Sequence, residues 1–160
     1  KIADAEVNSA FWSIGEGLEI DIFELFGDGR GEGKEHLDTQ LWWSLRDWKD
    51  LRGRPVYTER RQIGFRPADG FHVYGLEWNP DGVRYFLDGE LIADISADDV
   101  RRWALENNKD NPKVDEDYDG WVANRPIALW LDMETFPWHG VPFTCCDHEV
   151  RTPDPFEDVS

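Results

Sequence analysis

Three strand-like segments joined by two tight turns are the feature that most constrains the fold of this chain. The first, residues 71–78, reads FHVYGLEW and is rich in aromatic and β-branched residues. An NPDG sequence at 79–82 favours a type I turn, and residues 83–87 form the second segment. The dipeptide DG at 88–89 is typical of a two-residue hairpin before the third segment, 91–95. The pattern predicts an antiparallel meander.

One helix is predicted directly after this meander. Ser96 is a suitable N-cap because acidic residues follow in the first turn, and apolar side chains recur at helical spacing over 100–104. Residues 107–120 are polar and turn-rich, which indicates an exposed loop, and residues 125–136 return to a strand-like pattern. Antiparallel hairpins with one short helical insertion predict an all-β fold, a β-sandwich.

The chain of 160 residues is long enough for one domain with its own core. Sandwich domains often reach ~200–250 residues, so we expect residues 1–160 to form a single catalytic domain that belongs to a longer one, and an incomplete sandwich is compatible with this length. The N-terminal residues show no signal-peptide pattern, and no apolar run approaches the ~20 residues of a membrane helix. No membrane partner is expected.

The composition is strongly acidic, with 17 Lys and Arg against 34 Asp and Glu and a formal net charge of -17. Such a chain lacks the basic footprint that phosphate binding needs, which argues against nucleic acid as a partner. Residues 46–66 depart from this balance, with seven basic side chains against three acidic ones. Arginine binds sulfate and carboxylate groups through a planar fork, so this segment either contacts an anionic ligand or forms solvated salt bridges.

Residues 17–24, GLEIDIFE, place three acids in a strand-like stretch. Side chains alternate between the two faces of a strand, so Glu19 and Asp21 share one face while the aliphatic residues between them enter the core. Strict alternation would bury Glu24 as an unpaired carboxylate, which is costly. A one-residue β-bulge near Ile22 and Phe23 would return Glu24 to the polar face, and we predict one there.

Three acids so close together cannot all stay ionised without cost, so at least one pKa is expected to rise. A glycosidase uses this asymmetry, because one carboxylate attacks the sugar while a protonated acid assists the leaving group. The spacing is expected to separate the carboxyl groups by ~5–5.5 Å, as in retaining enzymes. Glu19 is predicted to be the nucleophile and Glu24 the acid and then base, with Asp21 tuning their protons. The alternative is an exposed acidic strand in an acidic protein.

The pattern Glu-x-Asp-x-x-Glu at 19–24 resembles the signature of glycoside hydrolase family 16, and FHVYGLEWNPDGVRYFLDGELI at 71–92 and RPIALWLDMETFPWHGVP at 125–142 are similar to further family segments. The resemblance implies a concanavalin A-like jelly-roll sandwich with a polysaccharide across its concave sheet. It implies that the helix after Ser96 is an insertion beside the cleft. It also implies a structural calcium ion whose ligands this chain does not place, so no metal ligand is assigned.

The resemblance further implies sugar-binding residues. Trp12 precedes the acidic strand, where the family carries a stacking ring. The sequence ETFPWHG resembles the agarases and carrageenases of the family, which makes Glu134 and Trp138 candidates. His139 is either a further contact or a structural residue of a turn.

Alternation adds two assignments to these. In residues 36–45 the even positions are predicted to face the cleft, which directs Trp42 toward the substrate and Trp43 into the core unless a bulge intervenes. Nine tryptophans are unusual for this length, and such rings either stack on sugars or fill cores. In residues 127–134 the odd, apolar positions are predicted to join the inter-sheet core, and the even ones to face the cleft.

We therefore expect a secreted, monomeric endo-glycosidase that hydrolyses β-linked red-algal galactan by double displacement, carrageenan-like before agar-like. The preference for a sulfated chain rests on the basic segment 46–66. The alternatives are a laminarinase or mixed-linkage β-glucanase of the same family, a transglycosylase, and a non-catalytic sugar-binding β-sandwich. No cofactor is expected for catalysis.

Overall fold

The computed structural model describes residues 1–28, 36–118 and 126–136. These residues form eight strands, one α-helix and one short 3-10 turn, Leu37–Thr39. The strands are β1 (Asn8–Gly15), β2 (Leu18–Phe26), β3 (Gln40–Asp47), β4 (Arg54–Gln62), β5 (Tyr74–Asn79), β6 (Gly82–Leu87), β7 (Glu90–Ser96) and β8 (Ala128–Glu134), and the helix α1 is Ala97–Asn107.

Within the described residues the strands form two antiparallel sheets. The first has the order β4-β3-β2-β1-β8, and the second is the meander β5-β6-β7. The predicted meander is confirmed, and so is the turn between its last two strands, where Asp88 and Gly89 have φ angles of 52° and 84°. Positive φ at both central residues is the geometry of a type I′ hairpin turn.

The first strand of the meander begins at Tyr74 rather than at the predicted residue 71. Asp88 explains the difference, because its side chain binds the two residues before Tyr74 and holds them outside the strand ladder. Its Oδ2 lies 2.7 Å from Nδ1 of His72, and its Oδ1 accepts from the backbone N–H of Val73 at 2.9 Å. His72 and Val73 are thereby tied to the β6–β7 turn.

The core lies between the two sheets. Trp43 of β3 is fully buried and stacks on Tyr85 of β6, with ring centroids 5.3 Å apart. One continuous cluster joins the apolar side of the first sheet to the second sheet and to α1; its buried members include Leu18, Ile20, Ile22, Leu25, Leu41, Leu45, Val56, Val83, Ile95, Val100 and Ala104. Each buried Leu, Ile or Val side chain of this cluster contributes roughly 1.5–3 kcal/mol through burial. The predicted β-sandwich is confirmed.

Helix α1 begins where the sequence predicted. The Ser96 side chain accepts from the N–H of Asp99, and the Asp99 carboxylate accepts from the N–H of Ser96, a reciprocal capping box. Trp103 of the helix packs on Tyr57 of β4, with ring centroids 6.2 Å apart. None of the helices in the described part of the chain is long and apolar enough to span a membrane.

The apolar face of β8 departs from prediction. Leu129, Leu131 and Met133 were expected in the inter-sheet core, but they are 61%, 77% and 68% exposed. Within the described residues β8 lies at the edge of the first sheet, beside β1, whereas the buried cluster that joins the two sheets draws on β2, β3 and β4. Ile127, just before β8, does pack partly buried against the core.

Candidate active site

A bulge in β2 sets the geometry of the acidic strand. On β3, Asp21 pairs with Ser44 and Glu24 pairs with Trp42, so three steps on one strand oppose two on the other. The β1 ladder shifts at the same place. The predicted bulge is confirmed, and it sends both Ile22 and Phe23 toward the core.

The bulge brings three acids onto one face of the first sheet, at consecutive same-face positions. Glu19, Asp21 and Glu24, the carboxylate row, line one cavity together with residues from β1, the β3–β4 hairpin and the end of β8. The other residues that line it are Ala10, Trp12, Arg46, Trp48, Gly53, Glu134 and Phe136. Glu19 and Asp21 are only 8% and 5% exposed, so the row lies at the cavity floor rather than on an open acidic strand.

Glu19 is held by donors on both carboxylate oxygens. The indole N–H of Trp48 donates to Oε2 at 2.5 Å, and Nε of Arg46 lies 3.3 Å from Oε1. Burial, the charge of Asp21 and a hydrogen bond with it raise the pKa of Glu19 to about 7, while Trp48 and Arg46 act in the opposite direction. The donors favour the ionised carboxylate of Glu19 against that burial.

Glu24 has a neutral hydrogen-bond donor instead. The side-chain amide of Asn8, which is fully buried, donates to Oε1 of Glu24 at 3.1 Å. Burial and then the charge of Asp21 raise the pKa of Glu24 to about 7. Burial also raises the pKa of Glu134 at the cavity wall. A protonated Glu24 beside an ionised Glu19 is the arrangement that acid-assisted nucleophilic attack requires.

Arg46 links the row electrostatically. Its Nε donates to Oδ2 of Asp21 at 2.9 Å while also facing Glu19. Burial alone would lower the pKa of Arg46, but the charges of Asp21, Glu19 and Glu24 outweigh it and hold that pKa above its usual value. Arg46 therefore supplies a permanent positive charge at the cavity floor.

Trp12 and β8 form one wall of the cavity. Trp12 stacks on Trp130 with ring centroids 5.7 Å apart and an angle of 19° between planes. Its indole N–H donates to Oδ2 of Asp132 at 3.0 Å. Trp130, Asp132 and Glu134 share the face that carries Trp12, as the alternation predicted, and Glu134 reaches the cavity itself.

The two neighbouring tryptophans of β3 point as predicted. Trp43 is in the core, and Trp42 lies on the face of the carboxylate row, opposite Glu24. The guanidinium of Arg60 sits over the Trp42 ring, 3.9 Å from its centroid. Residues 36–39 do not belong to the strand, because a 3-10 turn precedes β3. The predicted sugar contacts Trp138 and His139 lie outside the described residues.

Three of the six arginines of the basic segment face carboxylates of the protein itself. Arg46 faces Glu19 and Asp21, Arg54 pairs with Asp110 at 2.8 Å, and Arg66 pairs with Asp4 and Asp38 at 2.5 and 2.7 Å. For these three arginines, the structure agrees with the salt-bridge alternative for residues 46–66 rather than with an anionic ligand. Arg60 differs from these three arginines. It lies over Trp42 on the cleft face, and within the described ranges its guanidinium contacts no carboxylate.

Sequence reasoning missed three donors of the site: Asn8, Arg46 and Trp48. For Arg46 a signal existed, because the even-position alternation that assigned Trp42 and Ser44 to the cleft continues to residue 46. For Trp48 there was no local signal, since it follows β3 and returns over Glu19 only through the β3–β4 turn. Among the residues that the structure describes, no cluster of His, Cys, Asp and Glu could hold a metal ion.

A profile of the glycosyl hydrolases family 16 matches residues 3–112, which include the carboxylate row and its donors. The chain belongs to glycosyl hydrolases family 16. It is 29% identical over 110 residues to a beta-agarase of Phocaeicola plebeius, covering 62% of this chain and 34% of that protein.

Solved structures share the jelly-roll sandwich of this family. Porphyranase B from Zobellia galactanivorans superposes with a TM-score of 0.64 at 19% identity, over 89% of this chain and 51% of that one. The laminarinase catalytic domain from Thermotoga maritima gives a TM-score of 0.59 at 22% identity, over 86% and 51%. The chain thus spans about half the length of these structures and about a third of the agarase.

Proposed function

We propose that this chain carries the active site of a retaining endo-glycosidase that hydrolyses a β-linked galactan. The observation that supports the proposal most directly is the carboxylate row with its unequal donors. Glu19 faces a cation and an indole N–H, whereas Glu24 accepts from a neutral amide. This difference suits Glu19 to attack as an anion and Glu24 to deliver a proton.

The first step forms a covalent intermediate. An oxygen of Glu19 bonds to the anomeric carbon as the bond from that carbon to the glycosidic oxygen breaks, and Glu24 transfers its proton to the departing oxygen. Asp21 lies between them on the same face, and its charge raises the pKa of both neighbours. Arg46 balances the negative charge that gathers around the row.

The second step releases the sugar. Glu24, now ionised, takes a proton from a water molecule as the water oxygen bonds to the anomeric carbon, and the bond to Glu19 breaks. Glu19 leaves as a carboxylate and Glu24 is protonated again, which restores the starting state.

We place an agar-type galactan first among substrates, since a relative that matches 62% of this chain is named a beta-agarase. The arginine argument for carrageenan is weaker than the sequence suggested, because Arg46, Arg54 and Arg66 face carboxylates of the chain itself. Arg60 over Trp42 is the observation that keeps a sulfated galactan as a second candidate. The likenesses to the porphyranase and to the laminarinase, at 19% and 22% identity, bear on the fold alone.

We further propose that the protein acts outside the cell as a monomer and without a catalytic cofactor. A polysaccharide chain is too large to be taken up intact, which supports an extracellular site of action. The formal charge of -17 keeps such a protein soluble and disfavours nucleic acid. A structural calcium ion remains part of the proposal for the family fold, with no ligands assigned to it.

Reducing-end release from a polysaccharide panel tests the reaction and the substrate together. The panel holds agarose, porphyran, κ- and ι-carrageenan, laminarin and lichenan, each with the protein, Glu19→Gln, and Glu77→Gln as a control on the other sheet. We expect release from agarose or porphyran, loss of release in Glu19→Gln and normal release in Glu77→Gln. Release from laminarin or lichenan alone would overturn the galactan proposal, and sugar binding without release would favour a binding module.

Azide separates the roles of the two glutamates. In Glu19→Ala, azide is expected to attack in place of the carboxylate and yield a glycosyl azide of inverted configuration. In Glu24→Ala, azide is expected to intercept the glycosyl-enzyme and yield the retained configuration. The reverse pattern, read by NMR of the products, would exchange the two assignments.

A further inference from the structure

We propose that the β3–β4 turn, residues 48–53, is a positioning device for Glu19, in which the bare Gly53 lets the Trp48 indole lie where its N–H reaches the carboxylate. The proposal rests on the proposed function for its kinetic consequences. It assigns Trp48 as a positioning residue rather than a sugar platform. The proposal also gives Gly53, a residue without a side chain, an indirect role in catalysis.

The contact between Gly53 and Trp48 is tight. A Cβ added at Gly53 would meet three atoms of the indole ring, Cη2 and Cζ2 at 2.7 Å and Cζ3 at 2.8 Å. Real Cβ contacts do not come this close, so any side chain would displace the ring. The backbone φ of Gly53 is +80°, a conformation that glycine adopts without strain. The turn thus combines the required conformation with the space that the indole needs.

Backbone hydrogen bonds anchor both ends of the turn that carries Trp48. The backbone N–H groups of Trp48 and Lys49 both donate to the carbonyl of Gly17, at 2.6 and 3.1 Å, which fastens the turn to the β1–β2 turn beside Glu19. The N–H of Gly53 donates to the carbonyl of Asp47 at 2.9 Å. Asp47, nearly fully buried, also accepts from the hydroxyl of Tyr118 at 2.7 Å.

The same turn orients the second donor of Glu19. Nη1 of Arg46 donates to the carbonyl of Gly53 at 3.3 Å, while its Nε faces Glu19 and Asp21. Gly53 therefore touches both groups that bind the carboxylate: it packs on Trp48 and accepts from Arg46. Each Glu19 oxygen then faces its own donor, which fixes the carboxylate plane toward the cavity.

A set of three variants tests the proposal. Trp48→Phe keeps an aromatic ring but removes the N–H. Gly53→Ala leaves that N–H in place and pushes the ring away from Glu19. Gly89→Ala is the matched control, because Gly89 has φ +84° in another β-turn and nothing within 4 Å of its added Cβ. It imposes the same backbone strain without the indole contact.

We expect Trp48→Phe and Gly53→Ala to lower kcat about tenfold or more, with KM changed much less, because a hydrogen bond to a charged group is lost. The acid limb of the pH profile should move to higher pH in both variants, since the Trp48 N–H lowers the pKa of Glu19. Gly89→Ala should match the parent in both readouts. Circular dichroism and Tm confirm that each variant is folded.

Two results would overturn the proposal. An unchanged kcat and acid limb in Trp48→Phe, with KM raised instead, would make Trp48 a sugar platform. An equal effect of Gly53→Ala and Gly89→Ala would attribute the loss to backbone strain. A 13C NMR titration of the Glu19 carboxyl reads the effect of Trp48→Phe without any substrate, so it stands even if the glycosidase proposal fails.

Discussion

Asn8 donates its side-chain amide to Glu24 across 3.1 Å, from a position where Asn8 itself is fully buried. The bond joins the first strand of the sheet to the last acid of the carboxylate row. A neutral donor does not favour the ionised carboxylate as strongly as the cation and N–H that face Glu19. The chemistry of the two glutamates is therefore separated by their partners, although their pKa values lie close together.

The first prediction concerns pH. Glu19 and Glu24 each have a pKa of about 7, and activity needs Glu19 ionised and Glu24 protonated. Below this pH Glu19 gains its proton, and above it Glu24 loses its own, so kcat/KM should follow a narrow bell centred near pH 7. The measurement is initial rate against pH on a soluble galactan oligosaccharide. A rate still at its maximum at pH 4 or at pH 10 would contradict the assignment.

The second prediction concerns stability. The folded pKa of Glu24 lies above its unfolded value of 4.5, so the folded state binds more protons and the free energy of unfolding falls as pH rises from about 4.5 to about 7. Glu24→Gln keeps an acceptor for Asn8 and removes this penalty. We expect the variant to be more stable than the parent by roughly 1–3 kcal/mol at pH 8 and no more stable at pH 4.

Calorimetric Tm values at the two pH values measure this difference. Glu77→Gln, at an exposed position of β5, serves as the matched control and should show no such pH-dependent gain. A Glu24→Gln variant that is less stable than the parent at pH 8 would show that ionised Glu24 does not destabilise the folded protein.

The third prediction concerns the Trp12 wall. Trp12→Ala removes a ring that stacks on Trp130 and lines the cavity, so substrate binding should weaken roughly tenfold, the equivalent of about 1.4 kcal/mol. Calorimetric binding of agar oligosaccharides to the Glu19→Gln background measures this without turnover. Trp78→Ala, on the second sheet, is the control and should bind normally. Equal affinity of the Trp12 and Trp78 variants would remove Trp12 from the binding site.

The fourth prediction concerns charge recognition on β4. Arg60 and Arg61 are neighbours in the strand but point to opposite faces, opposite Trp42 and Leu41 respectively. Arg60→Gln should raise KM for a sulfated galactan several-fold and leave KM for agarose unchanged. Arg61→Gln should change neither of these KM values. Matching effects of the two substitutions would mean that only the overall charge of the protein matters.

Local chemistry made much of this fold predictable. The turn residues at 79–82 and 88–89 specified the meander, and the cost of burying Glu24 beside Ile22 specified the bulge. In each of these cases the deciding force acts within a few residues of the chain. The same holds for Ser96, whose capping box with Asp99 lies inside one helical turn.

The failures have a common physical cause in long-range packing. Alternation showed that Leu129, Leu131 and Met133 share a face, but it did not show whether another sheet covers that face. Trp48 escaped notice because its contact with Glu19 depends on the shape of a turn and on the carbonyl of Gly17, 31 positions away. Such contacts follow from the assembled sandwich rather than from any one segment.

The extra residue of the β2 bulge has a consequence for how chains of this kind can diverge. If either Ile22 or Phe23 were deleted, a regular ladder to β3 would suffice, because one intervening residue already places the last acid on the face of Glu19 and Asp21. With two intervening residues, the loss of the bulge would turn Glu24 into the core, away from Asn8 and the cavity. Substitution at these two positions needs only another apolar side chain, because both face the core. The identity of the residues between Asp21 and Glu24 is therefore open to drift, whereas their number can change only together with the bulge.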